Sequence, residues 1–276
     1  MAEALLEPGT VVAGYRIEAT LGEGGAGQVY RAAPPGGGAP VALKLMRRAQ
    51  ARDEESRRRF LREARAAGEV SHPHLVGVLA AGDADGRPFL VMPYVPGRSL
   101  AARIAGEGPL DPAESVRVVG EVARGLQAVH RAGLLHRDVK ASNVLLALDG
   151  TAALSDFGLA KGRDYSALTR TGQLVGTLEY VAPELLRGEP ASRGSDLYAL
   201  GCVAYECLAG RTPFGGGGIF QVGMGHLERQ PPDLEASRPG LPAELPRAVG
   251  LALAKAPGDR PPTPAAYANL LRAALR

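Results

Sequence analysis

The chain is poor in cysteine, with two among 276 residues. Cys202 and Cys207 lie five apart in a segment patterned as one helix, where their side chains point to different sides and cannot readily bridge. A disulfide-stapled scaffold is excluded, and a reducing cytosol is the expected setting. Long apolar runs are lacking as well. None reaches the ~20 residues that span a bilayer, and the opening MAEALLEPGT has no basic segment followed by an apolar one, so no leader or anchor is read in the sequence. Nor is there an excess of one charge: 32 Lys and Arg face 29 Asp and Glu, a net +3. The arginines of ARDEESRRRFLREAR alternate with glutamates, which fits a solvated helix face rather than a nucleic-acid arm, and no nucleic-acid partner is expected. What is present, 45% apolar and 22% charged residues, is the composition of an ordinary soluble globular protein of one or two domains.

Residues 11–46 read as short β pieces around turns, YRIEATLG, GQVYRAA and PVALKLM, with PPGGGAP as a hairpin connection. Three antiparallel strands are expected. DEESRRRFLREARAAGEV sets Phe60, Ala64 and Ala67 at helical spacing and stops at SHPH, where Pro73 prevents continuation. HLVGVLAAGD and GRPFLVMPYV read as two further strands, and PGRSL as a linker. A small lobe of sheet plus one helix therefore occupies about 11–95. Beyond it the pattern turns helical. LDPAESVRVVGEVARGLQAVHRAG has Asp111 as N-cap, Pro112 in the first helical position, Glu114 completing a capping box and Gly133 at the stop. Val116, Val119, Ala123, Leu126 and Val129 share one face. SDLYALGCVAYECLAG is apolar nearly all round, as a central buried helix is, and amphipathic segments follow near 243–254 and 264–275. A mainly helical lobe over about 96–276 results, and a cleft between lobes is where a ligand is expected.

Three short stretches carry chemistry. HRDVKASN, residues 136–143, is a polar octet between the apolar LQAVHRAGLL and VLLAL. Polar groups taken into an interior cost roughly 2–7 kcal/mol each unless paired, so the cluster marks a site. In LGEGGAGQVY, Gly22, Gly24 and Gly27 form a G-x-G-x-x-G pattern; abundant glycine makes that weak alone. A dinucleotide-binding turn must end a strand and open a helix, whereas QVYRAA continues as strand. These glycines therefore cap a hairpin whose backbone N–H groups can approach phosphates. Lys44 of VALK, between Leu43 and Leu45 on a predicted strand, is an ammonium that burial obliges to find an anion, and Glu63 on the next helix is the candidate.

In order and spacing, GEGGAGQV, VALK, REA, HRDVKASN, DFG, GTLEYVAPE and DLYALG resemble the eukaryotic-type serine/threonine protein kinase family, bacterial members included, over essentially the whole chain. The resemblance implies an α+β, bilobal protein-kinase fold that uses ATP with Mg²⁺ or Mn²⁺ to phosphorylate Ser/Thr hydroxyls of protein substrates, itself in trans among them. Asp138 would accept the hydroxyl proton, Lys140 would steady the γ-phosphate, and Asn143 and Asp156 would hold the metal, with Phe157 packed behind. Lys44, oriented by Glu63, would hold the α- and β-phosphates under the turn formed by Leu21, Gly22, Glu23, Gly24, Gly25, Ala26 and Gly27. Adenine would lie between Val29 and Ala42 on one side and Leu145 on the other, with Met92 behind it, bonded through the Pro93 carbonyl and the Val95 N–H. Pro93 departs from the family's usual acidic residue, but only a carbonyl is needed there and proline keeps its own.

Lys140, two positions after Asp138, and Gly176-Thr177 ahead of APE resemble serine/threonine rather than tyrosine kinases, with Thr177 bridging Asp138 and Lys140. The segment from Asp156 to Glu184 argues against small-molecule phosphotransferases of related fold. Glu184 with Arg260, Asp196 with the loop backbone, and His136 are expected to be structural. Arg137, a cation beside the catalytic aspartate, implies an anion that arrives at some stage, and phosphate on Thr169 or Thr171 of the activation segment would supply it. Two alternatives stand beside this reading. A pseudokinase scaffold or signalling module would be favoured by loss of Lys44, Asp138, Asn143 or Asp156, and all four are present. The cytosolic portion of a larger membrane protein would have the same chemistry as a wholly cytoplasmic enzyme. A weak homodimer through the small lobe, as in some bacterial relatives, is also carried as an expectation.

Overall fold

The computed structural model describes residues 3–24, 27–156 and 178–276. They form two compact units: the described residues from Glu3 to His72 with Val76–Pro96, and Pro73–Leu75 with the described residues from Gly97 onward.

The first unit is built on a six-stranded sheet of β1 (Val11–Val12), β2 (Tyr15–Gly24), β3 (Gly27–Ala33), β4 (Val41–Leu45), β5 (Ala80–Ala84) and β6 (Arg87–Pro93). The spatial order is β1-β2-β3-β4-β6-β5, and all neighbours are antiparallel. Two of its hairpins close with paired positive φ angles, Ala13-Gly14 and Asp85-Gly86, the twist that suits two-residue turns. Side chains alternate across the strands. Val41, Leu43 and Leu45 of β4 enter a core with Ile17, Tyr30, Ala32, Phe89 and Val91. Ala42 and Lys44 consequently share the opposite face, where Lys44 pairs with Val29 and Ala42 with Met92. A one-turn helix α1 (Arg48–Ala51), which the sequence reading lacked, leads into α2 (Glu54–Gly68). Asp53 caps α2 by accepting the Ser56 N–H at 3.0 Å, and Phe60, Ala64 and Ala67 are its buried residues, as their spacing predicts.

In the second unit β7 (Gly97–Ser99), β8 (Val144–Ala147) and β9 (Ala152–Leu154) make a small antiparallel sheet. Among the described residues the helices are α3 (Leu100–Glu107), α4 (Pro112–Arg131), α5 (Pro183–Leu186), α6 (Arg193–Ala209), α7 (Ile219–Glu228), α8 (Leu234–Ser237), α9 (Glu244–Ala252) and α10 (Pro264–Ala273). α6 is buried from Ser195 to Leu208, packed by α4 and α9. Its two cysteines are free and buried, with thiol pKa values pushed up by desolvation. Among the described residues no helix is long and apolar enough to cross a membrane.

Three local expectations are corrected. PGRSL is not a linker: Gly97–Ser99 pairs with β8, and Ser99 caps α3 by accepting the Ala102 N–H at 3.1 Å. The strand in HLVGVLAAGD is confined to Ala80–Ala84. Its first residues turn to β9 instead, through the His74 ring nitrogen to the Ala152 carbonyl (2.9 Å) and a bridge between Leu75 and Leu154. The capping box of α4 is half made. Asp111 accepts the Ala113 N–H at 2.8 Å, but Glu114 does not return to the cap; its carboxylate lies 3.8 Å from Arg103, a cation brought there by α3.

Candidate active site

The octet HRDVKASN lies between α4 and β8, and its shape is set by Asp196 in the first turn of α6. This buried carboxylate accepts the His136 N–H (2.9 Å), the Arg137 N–H (2.7 Å) and a hydrogen bond from His130 Nε2 (2.8 Å). Arg137 has a φ of 66°, a left-handed conformation that costs a non-glycine residue about 1–2 kcal/mol; the bond to Asp196 holds it there. His136 is fully buried, and desolvation keeps its pKa below the usual histidine value despite the carboxylates around it. The neutral ring donates from Nε2 to the Ser155 carbonyl (3.0 Å) and accepts the Asp138 N–H on Nδ1 (3.2 Å). It is a spacer between two parts of the site.

Lys140 Nζ and Asn143 Nδ2 converge on Oδ2 of Asp138, at 2.8 and 3.0 Å. A 3₁₀ turn, Ala141–Asn143, brings Asn143 round, and its Nδ2 also donates to the Asp138 carbonyl at 2.8 Å. The backbone carbonyl of Asn143 takes the N–H and Oγ–H of Ser155 (2.8 and 3.0 Å), which ties the loop to the residue before Asp156. Asp156 is itself left-handed, at φ 63°. Such strain concentrates at functional sites. With Nδ2 committed to Asp138, Asn143 keeps its amide oxygen for another partner, and Asp156 contributes a carboxylate. Among the described residues no cluster of three or more His, Cys, Asp or Glu could hold a metal. An oxygen pair suits Mg²⁺, which takes few protein ligands when phosphates and water complete its octahedron. The residues present fit that ion.

The remaining candidates belong to the first unit, apart from Leu145, which is half-buried on β8. Lys44 is 4% exposed and shares a sheet face with Val29, Ala42 and Met92. Glu63 is half-buried on α2, Pro93 is exposed at the end of β6, and Val95 is half-buried beyond it. In the glycine-rich turn Gly22 stands opposite Val29, Glu23 opposite Gln28 and Gly24 opposite Gly27, while Leu21 is exposed. Gly27 has a φ of 151°, and a Cβ there would lie 2.4 Å from the Leu45 carbonyl oxygen; no other residue fits so close to β4. Gly25, Ala26, Phe157, Thr169, Thr171, Gly176 and Thr177 lie outside the described residues.

A model of the protein kinase domain family matches residues 15–230. The chain belongs to the protein kinase family. It is 39% identical over 276 residues to the serine/threonine-protein kinase PknJ of Mycobacterium tuberculosis, covering 98% of this chain and 47% of that protein. To PknE of the same organism it is 39% identical over 252 residues, 91% of this chain and 44% of the relative. The chain thus spans about half the length of these relatives. The crystal structure of the M. tuberculosis PknI kinase domain matches with a TM-score of 0.79 at 34% identity, covering 98% of this chain and 99% of that one. The fold is that of a protein kinase.

In this kinase domain Glu184 and Arg260 form a bidentate pair at 2.7 and 2.8 Å. The guanidinium also donates to the carbonyls of Ala254, Gly194 and Lys255 and lies 4.8 Å from the Tyr198 ring centre. Two site partners went unread in the sequence. His130, in the last turn of α4, supplies the third donor to Asp196. Glu206, the acid among the apolar residues after the first turn of α6 and visible for that reason, accepts the Tyr180 hydroxyl proton at 2.6 Å. Burial, with Glu179 adding repulsion, pushes the Glu206 carboxyl up to about 7 against the opposing Tyr180 bond. Tyr180, Val181, Leu185 and Ala199 border a cleft that opens onto Asp138 and Lys140.

Proposed function

We propose that this kinase domain transfers the γ-phosphate of ATP to serine and threonine hydroxyls of proteins in the cytosol, its own activation segment included. The observation that carries the reading is the convergence of Lys140 and Asn143 on Asp138 in a loop held by Asp196. Phosphoryl transfer needs little covalent help; it rests on placing the acceptor and cancelling charge. Asp138 orients the acceptor hydroxyl and takes its proton. Lys140, already paired with Asp138, lies where it can also meet the transferring group. Asn143 and Asp156 would hold Mg²⁺ or Mn²⁺, which would supply neutralisation of phosphate charge when bound. Lys44 binds the inner phosphates with Glu63 orienting it, and Val29, Ala42, Met92 and Leu145 give adenine apolar surfaces. Thr177 positions the acceptor, and phosphate on Thr169 or Thr171 reaches Arg137.

Incubation with labelled ATP and Mg²⁺ should place phosphate on Ser or Thr of the protein and of an added substrate. Asp138→Asn, which keeps the loop's shape, should lower that rate on the order of 10²–10⁴-fold with an unchanged melting temperature. Parent protein that binds nucleotide and transfers nothing would refute the reading in favour of a scaffold.

A further inference from the structure

Two buried polar side chains of the first unit, besides Lys44, have no role in this chemistry. Gln28 of β3 and Arg87 of β6 are 0% and 6% exposed. Gln28 Oε1 accepts from Tyr30 Oη (2.9 Å) and Arg87 Nη2 (3.0 Å), while its Nε2 donates to the carbonyls of Glu3 (3.3 Å) and Ala4 (3.4 Å). Tyr30 Oη accepts the Leu6 N–H at 3.1 Å. The Glu3 carboxylate lies 2.8 Å from Arg87 Nη2 and accepts the Arg48 N–H at 3.0 Å. Residues 3–6 are thus bound to β3, β6 and the start of α1, although they precede residues 15–230 that match the family. Burial disfavours the charged form of Arg87, and Glu3 opposes that most strongly. A guanidinium so placed without its carboxylate would be left uncompensated.

The contacts lead to the nucleotide turn. Met46 and Arg47 join β4, which carries Lys44, to α1, which starts at Arg48. Arg87 Nε holds the Met46 carbonyl at 2.6 Å, and Glu3 holds the Arg48 N–H. Arg47, fixed between them, donates from Nε to the Gly24 carbonyl at 2.8 Å, with Nη2 3.8 Å from Glu23. A glycine-rich turn has more backbone freedom to lose than any other, and a tie at Gly24 removes part of that cost before ligand arrives.

We propose that residues 3–6 are a strap that preorganises the glycine-rich turn for nucleotide, with Glu3 and Arg47 as positioning residues. The proposal rests on the kinase reading for its ligand, and its test separates the two. In the full chain, Glu3→Gln and Arg47→Met are compared with the parent by hydrogen exchange without nucleotide, then by steady-state phosphorylation. Both should speed exchange over residues 20–24 and raise KM for Mg·ATP roughly three- to tenfold, while kcat stays within about twofold. Arg47→Met leaves the buried network intact, so its effect does not depend on folding. Unaltered exchange at 20–24 in Arg47→Met, or a lower melting temperature in Glu3→Gln with KM unmoved, would overturn the proposal. A parent that transfers no phosphate would overturn the kinase reading alone, because the exchange result still decides whether the strap orders the turn.

Discussion

Asp196 and Glu206 lie on one buried helix with different hydrogen-bond partners. Asp196 meets three hydrogen-bond donors; Glu206 has the Tyr180 hydroxyl and, nearby, the acid Glu179. The rise of Glu206 from 4.5 to about 7 sets the sign of a pH effect. Below 4.5 folded and unfolded chains both hold the proton. Between 4.5 and about 7 only the folded chain does, so stability falls as pH rises through that window and the loss is complete above it. At 1.36 kcal/mol per unit the loss is about 3 kcal/mol. Glu206→Gln, which still accepts from Tyr180, should therefore match the parent in urea at pH 4.5 and exceed it by up to about that amount at pH 8. A difference that does not grow with pH would show that Glu206 ionises normally in the folded protein.

At the scale of elements, the first turn of α6 acts as a clamp on the loop that carries Asp138. Replacing an acceptor that serves buried donors costs about 1–3 kcal/mol for each group left unpaired. Asp196→Asn turns an amide hydrogen toward donors, so a loss of about 2–4 kcal/mol is expected in denaturant melts, with kcat falling and KM for ATP little changed. Equal kcat in the variant would show that the left-handed Arg137 and the placing of Asp138 do not depend on Asp196. The elements themselves were readable wherever one periodicity ran uninterrupted: α2 from Phe60, Ala64 and Ala67, α4 from its valine stripe, α6 from its all-round apolarity. They were misread where a second element competed for the same groups. Glu114 would complete a capping box in an isolated helix, but α3 offers it Arg103. His74 and Leu75 have strand composition, yet β9 takes their polar groups.

In the whole molecule, Lys44 and the glycine-rich turn belong to one compact unit, and Asn143, Leu145 and Asp156 to the other. A ligand that binds only the folded chain stabilises it by mass action, about 2.7 kcal/mol at a hundred times its dissociation constant. Mg·ATP should accordingly raise the melting temperature by several degrees, and chelation of the metal should remove most of the rise. Asp156→Asn should lose the metal-dependent part while melting like the parent without ligand. An undiminished metal-dependent shift in that variant would remove Asp156 from the metal site.

By itself the sequence determined the family, the order of the two units and the identity of the chemical groups, because motifs such as VALK and HRDVKASN are contiguous and strand and helix periods are local backbone properties. Asp138, Lys140 and Asn143 are of this kind, all within one octet, although their contacts to one another were seen only in the structure. The family resemblance also named Asp196 for the loop backbone, but only the tertiary structure decided the other distant partners: His130 for Asp196, Tyr180 for Glu206, and Glu3 for Arg87. A buried polar atom must find a partner, but which one reaches it depends on how elements far apart in the chain approach, and no local pattern encodes that distance.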